Sequence, residues 1–134
     1  APESGVPRPP ELAIRAGYAA LARGDYPSAE SAAREVLARG PGPRRSDAQY
    51  LLARALYAQQ NWRAAAVAYD DAYNAARTGP HAQENIVGLA NALIAMGDRP
   101  AACGAIARLR GQFGSPRADL QRAVTDASSR AGCR

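Results

Sequence analysis

Lysine is absent from this 134-residue chain. All 17 basic residues are arginine, set against 12 acidic ones, for a formal charge of +5. A nucleic-acid binder gathers its basic residues on one face or along one helix. Here arginine is scattered from Arg8 to Arg134, with Arg44-Arg45 the only adjacent pair, and aromatics do not interleave with basic runs. The charge reads as coding bias toward Arg and Ala in a GC-rich genome, and no nucleic-acid partner is expected.

Other absences exclude further classes. Without lysine the glycines cannot form a phosphate-binding loop of the Gly-Lys-Ser/Thr kind. The single histidine, His81, and two cysteines fall short of the four ligands of a structural zinc site. His81 follows Gly79-Pro80 at a helix start and reads as a solvated surface residue. Asp70 and Asp71 are neighbours on a helix and point apart, so they make no facing acid/base pair. Cys103 has no base partner except a distant His81. No catalytic, cofactor or metal site is expected, and the chain reads as a non-enzyme. No apolar run approaches the roughly 20 residues needed to span a bilayer, and no charged-then-apolar leader stands at the start. Val, Ile and Thr are sparse, which argues against a sheet.

What remains is alanine. Hydrophobic residues make up 47% of the chain but aromatics only 6%, and much of the difference is Ala, the strongest helix former. Residues 1–10 hold four prolines and read as a linker or tail, with helical periodicity from Glu11. An internal echo follows. Gly24-Asp25-Tyr26 is followed by Ala29, Gln60-Asn61-Trp62 by Ala65, and Gly97-Asp98-Arg99 by Ala102, at spacings of 36 and 37 residues. Eight residues before each mark stand Ala16, Leu52 and Leu89, each followed by a small residue: Gly17, Ala53, Ala90. A period of this length signals a helical solenoid.

Each unit reads as helix A, a short turn, helix B and a break. Asp25, Asn61 and Asp98 stand where their side chains can cap helix B. Pro27 and Pro100 fall in its first turn, where no helical N–H is lost. Ser46 through Gln49 reads as a capping box opening the second unit. The small residues are expected where helices A and B touch. These positions and types resemble the tetratricopeptide repeat, with units at about 10–43, 46–79 and 83–116. In the second unit Tyr69 fills a position usually aromatic, and in the first Ala33 stands there. Residues 117–131 read as an amphipathic capping helix with Leu120, Val124, Ala127 and Ala131 on one side. The expected fold is all-α: three tetratricopeptide-type helix-turn-helix repeats plus a C-terminal cap in a right-handed superhelical solenoid spanning residues 11–134.

The resemblance implies a binding groove rather than a catalytic centre. In such arrays the A helices line the concave side. Carried over, the inward positions are Ile14, Tyr18 and Leu21, then Tyr50, Arg54 and Tyr57, then Val87, Asn91 and Ile94. Tyr18, Tyr50, Arg54, Tyr57 and Asn91 are the candidate partner-binding residues, because Tyr and Arg anchor interfaces. Packing between repeats is the competing role for each tyrosine.

A finer resemblance rests on Gly24-Asp25-Tyr26-Pro27-Ser28-Ala29-Glu30, on Ala48-Gln49-Tyr50 with Tyr57, and on Leu89 through Gly97. It rests also on Ala101-Ala102-Cys103 and the closing Arg130-Ala131-Gly132-Cys133. These are similar to the C-terminal domain of the Tol–Pal-associated cell division coordinator family (CpoB, also called YbgF), over residues 11–134. That family often reads Tyr-Trp-Leu-Gly-Glu where this chain has Tyr50-Leu51-Leu52-Ala53-Arg54, so the groove's polarity changes at Arg54. Its N-terminal coiled coil, which drives self-association, does not appear in the sequence. The resemblance implies a periplasmic scaffold. Its partners would be TolA and other Tol–Pal or peptidoglycan-synthesis components, coupling outer-membrane constriction to wall building. Another tetratricopeptide adaptor, in secretion, pilus or outer-membrane assembly, is the alternative.

The two cysteines, by count alone, are either one disulfide or two free thiols. Cys103 lies near the start of the third B helix, and the cap returns antiparallel from Pro116. At about 1.5 Å per residue the two helices are of similar length, so Cys133 arrives near Cys103. Gly132 lets the tail turn back. A Cys103–Cys133 disulfide is expected, and such a bond persists in an oxidising compartment.

Overall fold

The computed structural model describes residues 7–134. The linker expected at residues 1–10 lies outside the described residues for its first six positions. The described chain is a run of helices: α1 (Pro10–Ala22), α2 (Tyr26–Leu37), α3 (Arg45–Ala58), α4 (Trp62–Ala75), α5 (Ala82–Ala95), α6 (Arg99–Phe113) and α7 (Gln121–Ala131). A single 3₁₀ turn, Ala118–Leu120, leads into α7. Among the described residues there is no strand. Helices α1, α3 and α5 are the A helices of three hairpins, and α2, α4 and α6 are the B helices.

The hairpin turns follow from local chemistry. Asp25 Oδ1 accepts from the Ser28 N–H at 3.3 Å, and Asp98 Oδ1 from the Ala101 N–H at 3.1 Å. Each satisfies a donor that the helix itself cannot. Asn61 occupies the equivalent position, but its side chain makes no capping bond. The residue before each cap is left-handed: Gly24 at φ 82°, Gly97 at φ 85° and Gln60 at φ 63°. Glycine takes that conformation freely, whereas Gln60 is the one non-glycine among the described residues to adopt it.

The capping box expected at Ser46 to Gln49 does not form. Helix α3 begins at Arg45, so its N-cap is Arg44, two residues before Ser46, and Arg44 makes no side-chain cap bond. The turn Gly42-Pro43-Arg44 closes with the Arg45 N–H donating to the Gly42 carbonyl at 3.2 Å. That places Ser46 inside the first turn, past the cap position.

Small residues let the hairpins close. Ala29, Ala53, Ala65, Ala90 and Ala102 are fully buried. Gly17 is buried too, and a Cβ there would come within 3.1 Å of the Ala32 methyl and meet the Leu51 side chain. Each helix packs on its sequence neighbours, and the A helices also touch one another, α1 on α3 and α3 on α5. The core is therefore a line of contacts along the array rather than one central cluster. Helix α7 packs on both α5 and α6, burying Val124, Ala127 and Ala131, while Leu120 is only half-buried in the preceding turn.

Candidate binding face on the A helices

Three of the expected groove residues meet on one face. The Arg54 guanidinium carbon lies 5.6 Å from the centre of the Tyr50 ring and 5.9 Å from that of Tyr18. Arg54 is exposed and both tyrosines are half-buried. A cation held within about 6 Å of a ring face is attracted by the ring's quadrupole. The guanidinium is thus positioned by two rings while remaining exposed to solvent. Burial raises the Tyr18 hydroxyl pKa to about 12, with nearby Tyr50 adding to the effect, and burial raises that of Tyr50 against the pull of Arg54. Both phenols stay neutral near pH 7, so both can donate.

Tyr57 lies further along α3. Its ring meets Trp62 edge-on, with centroids 4.9 Å apart. It also lines a cleft of about 280 Å³ with Leu21, Tyr26, Arg54, Ala58 and Tyr69. Tyr69 is 6% exposed, and desolvation pushes its hydroxyl well above the usual tyrosine range. The sequence marks Tyr69 only as filling a position that is usually aromatic in this repeat. Its ring does pack in the core, yet it also borders the cleft. No residue spacing distinguishes the two roles, because an aromatic at a repeat junction can end at the surface.

The remaining expectations divide. Ile14 and Val87 are largely buried in the core. Leu21 and Ile94 are half-buried. Asn91 is claimed by the cap: its Oδ1 accepts from Arg130 Nη2 at 2.6 Å. It sits on the A-helix face but does not join the Tyr18–Tyr50–Arg54 cluster.

His81 is not the solvated residue the sequence suggests. Its ring stacks on Tyr50 with centroids 4.1 Å apart and planes inclined by 13°. Its Nε2 lies 2.9 Å from Asp47 Oδ1. The fold brings the start of α5 against the N-terminal half of α3, and the stack covers one face of the Tyr50 ring. A lone histidine after a Gly-Pro turn gives no hint of this, since its partners lie 31 and 34 residues away.

The far end is closed covalently. Cys103 and Cys133 form a disulfide, with Cα atoms 5.4 Å apart. Gly132 takes the left-handed conformation, φ 70°, that returns the tail toward α6. Among the described residues, no helix is long and apolar enough to cross a membrane.

Paired antiparallel helices in series, with a polar aromatic face, define a helical-repeat array. Residues 14–80 match the tetratricopeptide repeat family, and the chain belongs to it. It is, at that level, a protein–protein interaction scaffold. No curated protein matches the chain.

Proposed function

We propose that this chain is a non-catalytic periplasmic scaffold of the Tol–Pal-associated coordinator type, binding a segment of a protein partner across α1 and α3. The observation that carries the binding mode is the Tyr18–Arg54–Tyr50 arrangement. An arginine held between two neutral phenols offers a fork for a carboxylate or carbonyl beside flat apolar walls. The Cys103–Cys133 bond supports an oxidising compartment, and the Ala-Cys and Gly-Cys marks support the coordinator resemblance. Arg54, where that family often has an acidic residue, favours a partner segment of opposite charge. It also keeps alive the second reading, another adaptor in secretion, pilus or outer-membrane assembly.

Titrating the chain with the periplasmic part of TolA tests the reading. Binding is expected, and Tyr50→Ala or Tyr57→Ala should weaken it by about 1–3 kcal/mol. Absence of TolA binding sinks the Tol–Pal assignment. Binding that survives both substitutions but is lost on changing the B helices sinks the A-helix face. Recovery of both cysteines as free thiols from periplasmic protein removes the support for that compartment.

A further inference from the structure

A second, larger cleft than the one beside Tyr57 lies along α2, α3 and α4. Helices α2 and α4 both pack on α3, and between them runs a cleft of about 550 Å³. Leu52 and Leu56 of α3 line it with Leu37, Val67 and Ala68. Val67 is 56% exposed, one of three large hydrophobics exposed among the described residues.

The next junction shows what closes such a cleft. The 36- and 37-residue offsets map Arg34 onto Asp70, Leu37 onto Tyr73, Val67 onto Gly104 and Asp71 onto Arg108. Between α4 and α6, Tyr73 is 2% exposed and its hydroxyl donates to Gln112 Oε1. Arg108 lies over the Tyr73 ring at 5.0 Å and pairs with Asp70 at 3.7 Å. Between α2 and α4 the charges are exchanged and the closure fails. Arg34 turns to Glu30 on its own helix, at 2.9 Å, and not to Asp71. Leu37 brings no hydroxyl, and Ala75 stands where Gln112 would bridge.

Two cations mark the ends of this open cleft. Arg45 opens α3 and Arg63 lies in the first turn of α4, and neither lies within ion-pair distance of a carboxylate among the described residues. Arg45 spends one donor on the Leu37 carbonyl, at 3.3 Å. Because α3 and α4 run antiparallel, these arginines fall at opposite ends. The stretch of α3 from Arg45 to Leu56 offsets their backbones along the helix axis by about 16 Å. The walls are side chains throughout, so the cleft offers no backbone ladder to an extended peptide. A helix arrives with its own backbone bonds closed.

We propose that the α2–α4 cleft docks a partner's amphipathic helix: about three turns of apolar face with a carboxylate at each end. Residues eleven apart share a helix face, and eleven residues rise about 16 Å. Such a segment places its carboxylates at Arg45 and Arg63 and its apolar side chains on Leu52, Leu56 and Val67. Asp71 sits on the rim near the Arg45 end and disfavours a further acidic residue there. The site is separate from the tyrosine face on the A helices and does not rest on its proposed role.

The probe is a synthetic helical peptide with glutamates eleven residues apart and leucines between them on one face. Its controls are a twin with arginines in place of the glutamates and a scrambled sequence. Anisotropy titration against the full chain should show saturable binding of the first, about tenfold tighter than either control. Arg63→Glu and Val67→Glu, both exposed positions whose folding circular dichroism can verify, should each weaken it about tenfold. Tyr50→Ala should leave it unchanged. No saturable binding, equal binding of the acidic and basic twins, or indifference to both cleft substitutions overturns the proposal.

Discussion

The ring of Tyr69 occupies the space that a side chain at position 88 would need. A Cβ built on Gly88 falls within contact of Cε1, Cε2 and Cζ of that ring. At the preceding junction the sizes are exchanged: Ala33 stands at the Tyr69 position and Leu51 at the Gly88 position, both fully buried in one cluster. Large-against-small is kept at each junction, but the partner that is large changes.

Gly88→Ala is therefore expected to destabilise the protein, although alanine is the better helix former by about 1 kcal/mol. Overpacking costs about 1–3 kcal/mol, and the ring must shift before a methyl at position 88 can fit. Combining it with Tyr69→Ala should cost less than the sum of the two single changes, measured by urea unfolding. Additive effects would show that the ring and position 88 do not compete for space.

Reducing the Cys103–Cys133 bond, or replacing both cysteines by serine, should cost about 3–4 kcal/mol by loop-entropy arithmetic for a separation of 30 residues. The loss should be concentrated in α7, which otherwise holds mainly by Val124, Ala127 and Ala131. Hydrogen exchange should show α7 amides losing protection first. Uniform loss across all helices would mean that the bond supports the whole array instead.

His81→Ala removes the stack on Tyr50 and the bond to Asp47. A combined loss of about 1–2 kcal/mol is expected. His81→Phe keeps a ring against Tyr50 and should recover part of it. If His81→Ala unfolds at the same urea concentration as the parent chain, the stack contributes nothing to stability.

Tyr18 should ionise near pH 12 rather than at its ordinary 10.0. Its folded pKa lies above its unfolded one, so the neutral phenol stabilises the fold. That contribution is whole below pH 10 and is lost as pH climbs toward about 12. Tyr50 shifts in the same direction. Phenolate absorbance compared between the parent chain and Tyr18→Phe checks this. A difference spectrum that titrates at the ordinary value contradicts the burial assigned to Tyr18.

The class of fold is legible in the sequence because it depends on local signals. Turn glycines, Asp caps and small contact residues recur in phase, and each acts within one hairpin. Asp25 and Asp98 cap as their type predicts. Asn61 does not, and the box at Ser46 fails because a turn upstream shifts the helix start. The face is less legible. Tyr18, Tyr50 and Arg54 come together because A helices stack side by side, which the repeat itself implies. The His81 stack, the Asn91–Arg130 bond and the surface edge of Tyr69 each join residues from different units. Their partners are specified only by how one hairpin is set against the next.

The bond from Arg130 to Asn91 also sets a reading length. With the Asn91 carbonyl oxygen spent on the chain's own cap, the tyrosine–arginine surface is carried by α1 and α3. Neighbouring helix axes lie about 8–10 Å apart, and an extended chain advances about 3.3 Å per residue. Crossing from one helix to the other takes about three residues. A word that short is common in any proteome and carries little information alone. On the proposed binding mode, discrimination comes from the charge at Arg54 and from presenting several such words in tandem, where effective concentration adds to intrinsic affinity.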